Sequence, residues 1–241
     1  ARVSGMTEQE RAAENLKVIR SLMERATVYR AISWPTAMFG GILAVILSVL
    51  LYFREDVAIR GEATEVVLMS EVAWVFSWLV ALVVTASFNA VLMGRKASRE
   101  AGPFFSAGLK MALRLLVPPM LVGGVLGIGH VLSAPGTAAG AAAIWTMCYG
   151  IALLATVGIA PKSIRWLGWF FLAAGVAAYW YVWSDGAHPL PGVGAMDHME
   201  SPMLEANLIM GVCFGGFHLV YAVIVMRLSR KEPSPEAGGD D

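Results

Sequence analysis

Apolar residues fill six long stretches of this chain, and polar residues collect in the shorter segments between them. Residues 32–53, 72–92, 111–132, 140–160, 166–183 and 203–226 each come close to the roughly 20 apolar residues a helix needs to cross about 30 Å of hydrocarbon. The pattern predicts an all-α, polytopic membrane protein with six transmembrane helices in a compact bundle. The first thirty residues keep a different rhythm. Leu16, Ile19, Met23 and Ala26 recur at spacings of three and four among Arg and Glu, which stripes one face of an amphipathic helix. Thr7 and Glu10 fit the capping-box spacing at its start. Pro35 ends it, because proline disfavours helix in the residue before it. Three parts are therefore expected: a cytoplasmic amphipathic helix over residues 1–31, a membrane domain over 32–226, and a disordered cytoplasmic tail over 227–241.

Composition agrees with lipid as the solvent. Of 241 residues, 57% are hydrophobic and 15% charged, where soluble domains carry about a quarter charged residues. The N-terminal segment lacks the short apolar core of a secretory signal, so no signal is expected there, and Met6 is a candidate natural start. Cys148 and Cys213 lie in separate apolar stretches, which suits packing and gives neither metal-ligand spacing nor a disulfide framework.

Charge supplies an orientation. With the N-terminus in the cytoplasm, every Lys and Arg except Arg54 and Arg60 falls on the inner side, as the positive-inside rule requires. Trp34, Trp166 and Trp169 then mark inner ends, and Trp74, Trp78, Trp145, Trp180 and Trp183 are read as an outer aromatic belt. The expected location is a bacterial inner membrane, multi-pass, with both termini cytoplasmic. The basic residues are accounted for by topology and anionic lipid, so no nucleic-acid role is expected.

Helix association in lipid depends on close backbone approach. Gly40 and Ala44, Gly123 and Gly127, Ala174 and Ala178, and Gly211 and Gly215 provide small residues four apart. Pro118 and Pro119 lie inside the third span, where missing amides predict a kink and a possible gate. No inverted repeat between the halves is evident, which weighs against a transporter.

Ionisable groups at membrane depth are candidate functional groups, and this chain has few. No Asp, Glu, Lys or Arg falls in the middle of a span; His130, His218 and Asn89 are the embedded polar candidates. The two histidines are expected at depths well over 10 Å apart, by about 1.5 Å of rise per residue, so a bis-histidine haem between them is not supported. Asn89 is expected to bond between helices, and His218 to be a neutral imidazole bonded to a neighbouring helix. The outer loop between spans five and six holds His188, Met196, Asp197, His198 and Met199, residue types that could hold copper or zinc, although nothing in their spacing enforces convergence and the glycines and prolines favour a plain covering loop. No cofactor is predicted. Neither a nucleotide-binding loop nor a nucleophile elbow is present, and no enzyme activity is expected.

The segment LKVIRSLMERATVYRAISWP at 16–35, followed at once by a membrane span, resembles the start of a group of uncharacterised bacterial polytopic membrane proteins with an N-terminal cytoplasmic helix. The resemblance covers about the first fifty residues and the general layout. It implies a bacterial origin and a membrane location, and brings no catalytic residues with it.

The leading expectation is a structural, accessory or signal-coupling subunit. It would meet a protein partner or a second copy through its N-terminal helix or bundle surface. Two alternatives stand beside it: a transporter or channel for a small uncharged solute, and a membrane metal or redox protein using the outer loop.

Overall fold

The computed structural model describes residues 11–12, 14–15, 34–60, 69–99, 107–184 and 202–229. The chain is an all-α bundle with six helices long and apolar enough to cross a membrane. These are α1 (Trp34–Arg60), α2 (Glu71–Arg99), α3 (Ala107–Ser133), α4 (Ala138–Ala155), α5 (Lys162–Ser184) and a sixth span. That last span is built from α6 (Pro202–Met210), a π-helical turn (Gly211–Phe217) and α7 (His218–Ser229). Residues 11–12 and 14–15 are helical and exposed. The rest of the expected amphipathic helix, the outer loop with His188, Met196, Asp197, His198 and Met199, and the C-terminal tail lie outside the described residues.

Several helices run past their expected ends. Pro35 occupies the first turn of α1, where a missing amide costs nothing, and α1 continues through Arg54, Glu55 and Asp56 to Arg60. Residues 54–60 are therefore helix and not the polar connection expected from their charge. Lys162 and Arg165 likewise fall within the first turn of α5. By contrast α4 stops at Ala155, short of the expected 160. There Thr156 bonds back to the Leu153 carbonyl through both its amide (3.1 Å) and its hydroxyl (2.7 Å), which closes the helix. The α3–α4 turn is as tight as expected: Gly136 takes φ 81°, and the Ser133 and Thr137 hydroxyls both donate to the exposed His130 carbonyl.

Packing is uneven around the bundle. The hydrophobic window of α4 is 56% buried and that of α2 only 11%, so α4 is central and α2 peripheral. Gly150 is what lets α4 and α5 pack so closely. A Cβ there would lie 2.5 Å from the Leu172 amide nitrogen, and one at Gly175 would lie 2.6 Å from that of Met147. The closest α5 approach to α4 uses Gly168 and Gly175, seven residues apart, while Ala174 and Ala178 are half-buried and Ala174 packs against the core beside Phe171. The other expected small-residue pairs do lie at contacts: Gly123 and Gly127 of α3 meet Cys148 and Trp145 of α4, and Gly211 and Gly215 meet Ser48 and Val45 of α1. Helix α1 packs along the whole sixth span, whereas α2 and α3 touch little.

Successive spans are antiparallel, so Trp34, Arg99, Lys162 and Ser229 share one end of the bundle. Arg95, Lys96, Lys110, Arg114, Arg165 and Arg227 fall at that end. The other end carries Arg54, Glu55, Asp56 and Glu71.

Candidate functional site

The bundle holds a cavity of about 330 Å³ lined by residues of all six spans, with the sparsely touching α2 and α3 on two of its sides. Its floor and walls are mostly apolar: Leu43, Ala44, Leu79, Leu82, Leu116, Met120, Leu153 and Leu167 among them. Gly124 of α3 opens directly onto it, since a Cβ there would meet nothing within 4 Å. None of its described lining residues is Asp, Glu, Lys or Arg. Thr85, Cys148 and Tyr221 also line it, and three further polar groupings, each set by a different local feature, shape its wall.

The first is His218. The chain winds as a π turn over Gly211–Phe217, and the His218 amide donates to Gly215 instead of to Phe214 four residues back. The Phe214 carbonyl accepts from the imidazole Nδ1 at 2.9 Å. A carbonyl cannot donate, so Nδ1 carries the proton and the neutral ring's Nε2 accepts from the Tyr149 hydroxyl at 2.9 Å. Tyr149, Phe171 and Phe214 surround the imidazole, with Phe171 centred 5.3 Å away. His218 is therefore held in one tautomer and one orientation at the cavity wall. Short π segments of this kind recur at functional sites.

The second place is the end nearest the basic residues, where the Thr36 hydroxyl of α1 donates to Asn89 Oδ1 of α2 at 2.9 Å. Phe39 and Phe88 stack beside that bond with centroids 4.2 Å apart. Asn89 thus bonds between helices.

The third is a tryptophan cluster at the opposite end. Trp74 is fully buried and stacks on Trp145 of α4 at 5.5 Å and 8°. Its Nε1 donates to Asn207 Oδ1 at 2.9 Å, and the Asn207 carbonyl accepts from the Ser48 hydroxyl at 2.6 Å. Trp78 (5% exposed) and Trp145 complete the cluster and line the cavity. These three indoles are interior groups and do not form the lipid-facing belt expected of them. Their helices turn them inward, where Asn207 satisfies one indole N–H. Trp34, Trp166, Trp169, Trp180 and Trp183 are exposed, as belt residues are.

The remaining expected residues fall elsewhere. His130 lies against Gly140 and lines a separate lateral groove of about 610 Å³ between α3 and α4. The two histidines thus line different cavities, and the fold does not bring them together. Helix α3 runs unbroken through Pro118 and Pro119; neither lines the cavity, although their neighbours Leu116 and Met120 do. Among the described residues no cluster of His, Cys, Asp or Glu has metal-binding geometry. Sequence reasoning missed Asn207, Ser48 and Thr36. An asparagine five residues into the sixth span was the available signal. It also missed Glu55, which is buried and accepts from the Met69 amide at 3.3 Å.

No family model matches the chain, and neither the curated proteins nor the solved structures searched contain a match to it.

Proposed function

We propose that this multi-pass membrane protein binds, and passes across or within the bilayer, a small uncharged apolar molecule held in the cavity between α2 and α3. The observation that carries this reading is the cavity itself, of about 330 Å³, lined by apolar side chains and a few placed polar groups. That volume and that lining are those of small-molecule sites, which run from about 300 to 1,000 Å³. A neutral ligand follows from the lining: a charged molecule in a low-dielectric site without a counter-charge carries a heavy desolvation penalty. Entry from the bilayer between α2 and α3 suits both the ligand and the sparse contact between those helices. His218, oriented by the π turn, and Tyr149 of α4, hydrogen-bonded to it, form a polar wall against which a ligand is oriented.

The end of the bundle that carries Arg95, Lys96, Lys110, Arg114, Lys162, Arg165 and Arg227 is assigned to the cytoplasm on the positive-inside rule. A bacterial inner membrane is the location proposed with it. An accessory-subunit role rests on residues 7–32, almost all of which lie outside the described residues.

Gly124→Phe supplies the test, because its ring would enter the cavity with no displaced neighbour at the Cβ. Protein purified in native lipid should release one small apolar compound per chain on solvent extraction, identified by mass spectrometry. The Gly124→Phe protein should release much less. Equal amounts from both, or none from either, would remove the reading.

A further inference from the structure

We propose that the molecule held in the cavity is a neutral amphiphile with one hydroxyl, its head bonded to Thr85 and Asn89 and its apolar body directed at the tryptophan cluster. This rests on the ligand-binding reading above and adds the ligand's class and orientation. Most of the cavity's polar groups are already engaged. Both imidazole nitrogens of His218 are bonded, one of them by the Tyr149 hydroxyl, and the Thr36 hydroxyl donates to Asn89 Oδ1. Tyr221, 6% exposed, is engaged within the protein as well. The Trp78 and Trp145 indole nitrogens have no accessible surface, so that end offers a ligand only ring carbon. Cys148 lines both the cavity and the lateral groove, and its thiol is a weak hydrogen-bonding group.

Thr85 is open. Its hydroxyl has no hydrogen-bond partner among the described residues, and its oxygen is not sealed from accessible surface as the two indole nitrogens are. Hydroxyls inside helices commonly donate to the carbonyl one turn back, as Ser77, Thr146 and Ser229 do here, and Thr85 makes no such bond. Asn89 lies one turn further along the same face of α2 and lines the same space. Its Nδ2 donates to the Met93 thioether, a weak acceptor, at 3.6 Å and carries a second N–H. One hydroxyl serves both residues, donating to Thr85 Oγ1 and accepting from Asn89 Nδ2. A carbonyl only accepts, which leaves the Thr85 lone pairs unused. A charged head would meet no counter-charge among the described lining residues. Trp78 lies two turns before Thr85, about 10 Å along the helix, so a chain of about eight carbons reaches from the head to the indoles.

The test uses the full chain in lipid nanodiscs and two photoreactive probes. One is an alkanol of about eight carbons with a diazirine at the end remote from its hydroxyl. The other carries methyl in place of the hydroxyl. After irradiation, mass spectrometry gives the label on Trp78 and Trp145 relative to that on the exposed Phe76 and Leu121, a ratio that cancels unequal partitioning into the bilayer. The alkanol should favour the two indoles, and excess octan-1-ol should abolish the preference. Thr85→Val, which keeps the side chain's shape and removes its hydroxyl, should lower the alkanol's ratio about three- to twentyfold and leave the hydrocarbon's unchanged. If that variant does not fold, the contrast between the two probes on the unaltered protein decides. Equal ratios for both probes, an undiminished ratio in Thr85→Val, or an alkanol that labels Thr36 or Leu116 in place of the indoles overturns the head-group proposal and leaves the cavity reading standing. Label on cavity residues no higher than on Phe76 and Leu121 with either probe, or undiminished in Gly124→Phe, overturns the cavity reading itself.

Discussion

Asn207 joins three spans with two bonds. Its Oδ1 accepts from Trp74 of α2, and its carbonyl accepts from Ser48 of α1. Side-chain hydrogen bonds in membrane bundles average about 0.6 kcal/mol and reach about 1.7. A double-mutant cycle of Trp74→Phe with Asn207→Ala, followed by unfolding in bicelles, should return a coupling in that range; a coupling of zero would mean the bond contributes nothing. Tyr149→Phe should destabilise by a similar amount, since it leaves the His218 Nε2 lone pair without a donor. At this scale the sequence was partly legible. His218 and Asn89 stand out because each is the conspicuous polar residue of an apolar run. Asn207, Ser48 and Thr36 were passed over, since short polar side chains near a span's end also suit solvent. Trp78 and Trp145 were misplaced for a related reason: an amphipathic ring fits a headgroup belt and a buried cluster equally, and only the helix's rotation separates the two.

Element geometry shows the same division between what periodicity carries and what contact carries. Span number and order follow from hydropathy alone, because an unbroken apolar run of about 20 residues has few other fates. Ends shift where a charged turn still completes helical hydrogen bonds, as at Arg54–Arg60, or where a hydroxyl closes the helix early, as at Thr156. The π turn has a compositional trace in Gly211, Gly215 and Gly216, but a glycine run does not specify π winding. Which small residues meet most closely depends on helix rotation, and that is why Gly168 and Gly175 make the tightest α4–α5 approach. Gly150→Ala should therefore destabilise the bundle by about 1–3 kcal/mol, the usual cost of overpacking. Its Cβ would press on the backbone of Leu172 and Gly168. Gly216→Ala, with nothing within 4 Å, is the matched control and should be close to neutral. Thermal unfolding in detergent compares the two; equal midpoints would argue against the close crossing.

At the level of the whole molecule, one end of the bundle is basic and the other carries most of the described acids. On the proposed orientation, an impermeant maleimide applied to intact cells should label His198→Cys and spare Lys96→Cys until the membrane is opened. The reverse pattern would invert the topology. The cavity was the least legible feature in the sequence, because a void is set by how the helices are spaced and leaves no residue pattern of its own. Apolar side chains facing a cavity look like apolar side chains facing lipid. The most direct measurement is a crystal structure grown in a lipidic phase from protein purified in native membranes. The expected result is density for one small apolar molecule bounded by Thr85, Gly124 and Tyr149. Helices α2 and α3 closed over a solidly packed interior, or ordered water alone in that space, would contradict it.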